Sequence, residues 1–257
     1  MTGLAMWRMV AVVAAAVLIL GAAWIEWGRA RDRPGGPSPG CRAARAPAAT
    51  SAGSGLVVAE RGFSRLDEHT FSLGALVENG SGKVAYRTAV TFELLDRAGG
   101  DRIWAQRQPV EIPVVGPGRR VAVGVGATVP TVDAAEVGRV ELRLGETHWA
   151  APDESNLLFQ AHDTRPGLAS AEPGSSPWVE FWAARPPARC EGLVERGAAL
   201  LFRDANGTVV GGDTVEVSRG FCSGGDFPDT FAAQFVPQRA ALDRTELSVY
   251  CDIDPSG

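Results

Sequence analysis

Gly197–Thr214, GAALLFRDANGTVVGGDT, packs an apolar run, a turn signal and a second apolar run into one short stretch. Asn206-Gly207 between β-forming residues predicts a tight hairpin, because both central positions of such a turn must accept positive φ. A near copy lies 107 residues upstream, LLDRAGG at Leu94–Gly100 against LFRDANG at Leu201–Gly207. Ala127–Pro130 (ATVP) matches Gln234–Pro237 (QFVP) at the same offset, and Val137–Leu144 (VGRVELRL) matches Leu242–Val249 (LDRTELSV) at 105. Three matched blocks in one order predict a unit that occurs twice. The strands recur at short intervals with turns between them, which predicts an all-β chain of two small β-sandwiches.

Within the first unit, Leu56–Ala59, Thr70–Glu78, Arg87–Asp96, Arg102–Ile112, Val121–Val129 and Arg139–Leu144 read as strands. Val90, Phe92 and Leu94 alternate with Ala89, Thr91 and Glu93, the period of a half-buried strand. Val121–Val129 alternates Val with Ala and Gly, so one of its faces carries only small side chains.

The N-terminus differs in kind. Met9–Ile25 is apolar throughout, and a helix from Trp7 to Trp27 would span about 31 Å, enough for a hydrocarbon core of about 30 Å. Tryptophans at both ends suit the two interfaces. A cleaved signal peptide, with Gly21-Ala22-Ala23 as cleavage site, is the rival reading. The expected layout is an anchor or signal peptide at 1–28, a disordered Pro/Gly/Ala linker at 29–54, and sandwich repeats at 55–152 and 178–257. Residues 153–177 are expected to connect the two repeats.

Arg29, Arg31 and Arg33 after the span favour a cytoplasmic C-terminal portion by the positive-inside rule. Long domains translocate largely regardless of charge, and cysteines in β-domains suit an extracytoplasmic setting. The expectation is a single-pass cell-membrane protein with its domains outside.

Charge narrows the partners. Residues 153–257 hold eight basic against sixteen acidic residues, which argues against nucleic acid, since phosphate binding needs clustered Lys and Arg. The four cysteines show no C-x-x-C spacing and the three histidines are scattered, so no metal site or other cofactor is expected. In an up-and-down second repeat, Cys190, Cys222 and Cys251 collect at one end of the sheet. Cys222–Cys251 is the favoured disulfide, with Cys190 the alternative partner.

Other chemistry is sparse. Asp226, Asp229, Asp252 and Asp254 lack the spacing of a Ca²⁺ loop, and Ser223 in CSGGD lacks a catalytic sequence around it. No catalytic residue is assigned. Trp178, Glu180 and Trp182 fall on one face of a strand, where two tryptophans either grip a partner or pack under the inter-domain connection.

Gly74–Asn79 (GALVEN), Phe92–Asp96 (FELLD) with Gly99-Gly100, and Val115–Gly118 (VGPG) follow one another in the first repeat. This run resembles the FxLYD-type family of bacterial extracytoplasmic domains. The second repeat keeps Leu200–Asp204 and Asn206-Gly207 but lacks the first and last elements. The resemblance implies immunoglobulin-like modules behind an anchor, and no active site. The function expected is a non-enzymatic binding protein of the bacterial envelope with an envelope protein as partner. The alternative is an accessory or sensor protein with a small-molecule or enzymatic site between the modules, around His148, Glu154 and His162.

Overall fold

The computed structural model describes residues 55–98, 100–152, 162–170, 178–185, 193–223 and 228–253. The apolar segment, the linker, Cys41, Cys190, Glu154, Asp226 and Asp254 lie outside them. Among the described residues, no helix is long and apolar enough to cross a membrane. All of them belong to one compact unit, Pro39–Gly257.

The described residues are all-β, in four antiparallel sheets. Sheet I orders β1 (Leu56–Arg65), β2 (Thr70–Asn79) and β6 (Arg120–Thr128) side by side. Sheet II is built on β3 (Val84–Asp96). One edge of β3 carries β4 (Arg102–Ala105) and β5 (Val110–Val115) end to end. The other edge carries β7 (Val137–Leu144) and β8 (His148–Ala150). Sheet III runs β13 (Val209–Val215), β12 (Leu193–Arg203), β15 (Glu246–Ile253) and β9 (His162–Thr164). Sheet IV runs β10 (Gly167–Ser170), β11 (Val179–Ala183) and β14 (Asp229–Ala233). Sheets I and IV are each three strands wide, in the orders β1-β2-β6 and β10-β11-β14, and β3 and β12 each lie between neighbours on both edges.

Period-two alternation sets the packing. Val90, Phe92 and Leu94 of β3 turn one way and meet Phe71, Leu73, Ala75 and Val77 of β2 and Val121, Val123 and Val125 of β6. Phe92 is fully buried, a contribution of about 1.5–3 kcal/mol for a side chain of its class. On the opposite face of β3, Glu93 is 5% exposed and pairs with Arg143 at 2.8 Å and Arg102 at 3.0 Å. Those bonds, that to Arg143 foremost, hold its carboxyl below the usual range although burial opposes them.

Three expectations need correction. The strand expected at Arg102–Ile112 is two strands, broken at Gln106–Pro109. Pro109 has no N–H for a ladder, and the Gln106 side chain instead accepts the Phe92 N–H at 3.3 Å. Two strands, β9 and β10, fall inside 153–177: β9 extends sheet III by pairing with β15, and β10 forms an edge of sheet IV. The Asn206-Gly207 turn is wider than a two-residue hairpin. Only Gly207 takes positive φ, at 86°. The Asp204 carboxylate accepts the N–H groups of Asn206 and Thr208, both at 2.9 Å, and so holds the longer loop. At the matched position upstream Gly100 has φ 77°, and Asp96 accepts the N–H of Gly100 and of Asp101.

The two halves meet at a seam between sheets I and III. β2 is buried on both of its faces: Phe71, Leu73, Ala75 and Val77 point to sheet II, while Ser72, Gly74 and Leu76 point to sheet III. The small face of β6 lies on the same seam. A Cβ on Gly212 would stand 2.8 Å from Gly124 Cα, Leu200 O and Leu73 O, so backbone approaches backbone. Side chains across the seam take up polar groups along β6. Ala122 N donates to Ser248 Oγ at 2.9 Å, Tyr250 OH donates to Ala122 O at 2.6 Å, and Thr214 Oγ1 donates to Gly124 O at 2.7 Å. The cores interpenetrate too: Tyr250 and Ala199 join the first, and Val84, Tyr86 and Val114 join the second.

Charge reinforces the seam. Arg203 bonds Glu60 of β1, Glu246 of β15 and the Gly207 carbonyl, and is 13% exposed. Its bond to Glu60 raises the guanidinium's affinity for its proton and lowers the Glu60 carboxyl. Arg87, a non-glycine residue at φ 46° in β3, reaches Asp252 of β15 at 3.4 Å. It falls opposite Pro113 in the β3–β5 register, which continues unbroken through Tyr86 and Thr88 on either side.

Candidate functional site

Sheet IV turns Phe181 and Ala183 into the second core and leaves Trp178, Glu180 and Trp182 on its outer face. The alternation of VEFWA over β11 requires this split, since successive side chains point to opposite faces. Trp178 is 42% exposed and Trp182 45%. Trp182 does lie over Gly167, inside the stretch 153–177 expected to cover the pair, and neither ring is buried among the described residues.

The face is seated from below. Phe181 lies 6.4 Å from Phe202, and Phe231, its cross-strand neighbour on β14, meets Phe221 edge-on at 5.7 Å. Phe221 precedes Cys222, which is bonded to Cys251 of β15 with Cα atoms 5.6 Å apart. The Cys222 N–H also donates to Glu195 at 2.8 Å. The favoured disulfide is thus the one formed, and it ties the loop after β13 to the strand behind the aromatic layer.

Local geometry shapes the tryptophans. Gly167 sits opposite Trp182 in the β10–β11 register, and a Cβ there would overlap Trp182 Cε2, Nε1 and Cζ2. The indole therefore lies across the backbone of β10. Trp178 Nε1 donates to Glu180 at 3.4 Å. The two tryptophan Cα atoms are four residues apart, at most about 13 Å along an extended chain. Leu168, 45% exposed, stands opposite Phe181 in the register and so lies on the other face of the sheet from the tryptophans. Beyond one end of β11, Arg185 stands 3.9 Å from Asp229, whose carboxylate also accepts from Ser218. Two flat apolar rings flanking a carboxylate can stack on or grip a partner; they offer no nucleophile.

The remaining singled-out residues are dispersed. Asp252 pairs with Arg87 and Arg196, each at 3.4 Å, and Asp229 lies on β14. Ser223 donates to the Gly220 carbonyl at 3.1 Å. His148 is on β8, and of His162 only the backbone position in β9 is described. Among the described residues, no three His, Cys, Asp or Glu are grouped to hold a metal ion.

Sequence reasoning missed Asp213. It is 3% exposed at the seam and accepts the N–H groups of Gln234 at 2.8 Å and Phe235 at 3.1 Å. Burial pushes its carboxyl up, against those bonds. Its signal was the GGD triplet, since two glycines inside a strand mark a close backbone approach.

No family model matches the chain, and no curated protein matches it.

Proposed function

We infer that the chain is a membrane-anchored, non-catalytic binding protein of the bacterial envelope, with its β-domains outside the cytoplasm. The observation that carries this reading is the exposed Trp178/Trp182 face, stiffened from below by four phenylalanines and a disulfide. Exposed tryptophans are costly surface in a monomer and are the residue type most enriched at binding hot spots. The Cys222–Cys251 bond favours an oxidising compartment, and Met9–Ile25 has the length and composition of an anchor.

On this reading the halves are immunoglobulin-like modules that arose by duplication. The support is the three matched sequence blocks, and Gly100 and Gly207 at equivalent turns. The likeness of the first half to FxLYD-type modules adds to it.

Photocrosslinking in intact cells tests the assignment. A photoreactive residue at position 182 of the full chain should give a discrete adduct that W178A abolishes. The same residue at exposed position 107 should give none. Equal adducts at 182 and 107 would remove the tryptophan face as the contact. Labelling of Cys41 by a membrane-impermeant thiol reagent in the same cells reports the orientation.

A further inference from the structure

A second surface feature owes nothing to the tryptophans. An open groove of about 490 Å³ lies where the halves meet, lined by Phe63, Ser64 and the exposed Arg65 of β1 and by the exposed Gln238 and Arg239 after Pro237. That volume is in the range of small-molecule sites, about 300–1,000 Å³. Its two arginines come from opposite halves, and each is held by a carbonyl. Arg65 Nη2 donates to Val137 O at 2.5 Å, and Arg239 Nη2 donates to Phe63 O at 3.2 Å.

A guanidinium has five N–H donors. One bond to a carbonyl fixes the group without neutralising it, and among the described residues neither arginine pairs with a carboxylate. The nearest acid in sequence, Asp67, is turned onto the His69 N–H at 2.8 Å. Ser64 donates to Val210 O at 2.6 Å, so its hydroxyl proton serves the wall rather than the groove. The half-buried Phe63 packs against the first core and supplies an apolar floor. Two tethered, uncompensated forks beside an aromatic ring match a planar or tetrahedral oxyanion that carries an apolar group.

We propose that this groove binds a small organic oxyanion, with Arg65 and Arg239 clamping the charged end and Phe63 meeting the apolar end. Calorimetric titration of the purified full-length chain at fixed ionic strength tests it, with phenyl phosphate, inorganic phosphate and benzoate as probes. Saturable binding is expected, strongest for a probe with a ring. R65Q and R239Q should each weaken it about tenfold or more, the size of a lost charge-assisted hydrogen bond. R107Q, the same charge change at an exposed site elsewhere, should leave it intact. Preference for phenyl phosphate identifies a phosphate ester as the natural class, and preference for benzoate a carboxylate. Absence of saturable heat with all three probes overturns the proposal. So does equal weakening by R107Q and R239Q, or wild-type binding by both R65Q and R239Q.

Discussion

The Ser72 hydroxyl both donates to the Gly212 carbonyl and accepts from the Gly212 N–H, each at 3.0 Å. One side chain of β2 thereby meets both backbone groups of a residue 140 positions away, where a neighbouring strand would otherwise supply partners. S72A leaves both buried groups unsatisfied and should cost about 2–6 kcal/mol, summed over two lost bonds. Urea unfolding of the full-length chain measures it.

The same seam has no room for a methyl group. G212A should destabilise by about 1–3 kcal/mol or more, because every neighbour that its Cβ would meet is backbone. Gly82 has nothing within 4 Å of the equivalent position, so G82A should stay within about 0.5 kcal/mol of wild type. Thermal melts of the two variants separate loss of space from loss of glycine's flexibility.

The Cys222–Cys251 bond closes a loop of 29 residues. Replacing both cysteines by alanine should cost about 3–4 kcal/mol by loop entropy. Denaturant melts under non-reducing conditions check the magnitude. Photocrosslinking at position 182 should weaken in the same variant, because the loop behind the aromatic layer is freed.

Asp213 makes stability depend on pH in a definite direction. Its carboxyl is raised in the folded chain, so between the unfolded value of about 3.9 and the raised folded one the native state holds the extra proton. That contribution is present below the window and fades as pH rises through it. Glu60 and Glu93, held down by Arg203 and Arg143, act the opposite way: their contribution is present above about 4.3 and is lost as pH falls. D213N should remove only the first trend and keep acceptors for Gln234 and Phe235. D213L strands both amides and should cost about 2–6 kcal/mol at any pH. Stability measured from pH 3 to 8 resolves the two.

Thr88 is fully buried in β3, and among the described residues no hydrogen-bond partner meets its Oγ1. T88V keeps the shape and removes the desolvated hydroxyl. It should raise the unfolding free energy by up to about 1 kcal/mol, read as a higher denaturant midpoint at unchanged slope.

Strands whose residues alternate were legible in the sequence, and β3, β6 and β7 lie where the pattern places them. The break at Pro109 was hidden by apolar residues on either side. β9 and β10 were hidden because strands of three and four residues carry too few alternations to stand out from a Ser/Pro/Gly-rich stretch. Trp178 and Trp182 were found as a pair on one face, but period two cannot say which face meets water. The seam was half visible: the small side chains of Val121–Val129 marked a close contact, while Ser72, Gly212 and Asp213 matter only through partners more than twenty or a hundred residues away. Arg65 and Arg239, 174 positions apart, had no local signature at all.

Backbone stacked on backbone at Gly74, Gly124 and Gly212 leaves the halves no elbow. Sheets I and III therefore have no room to slide or hinge on one another without prising backbone from backbone.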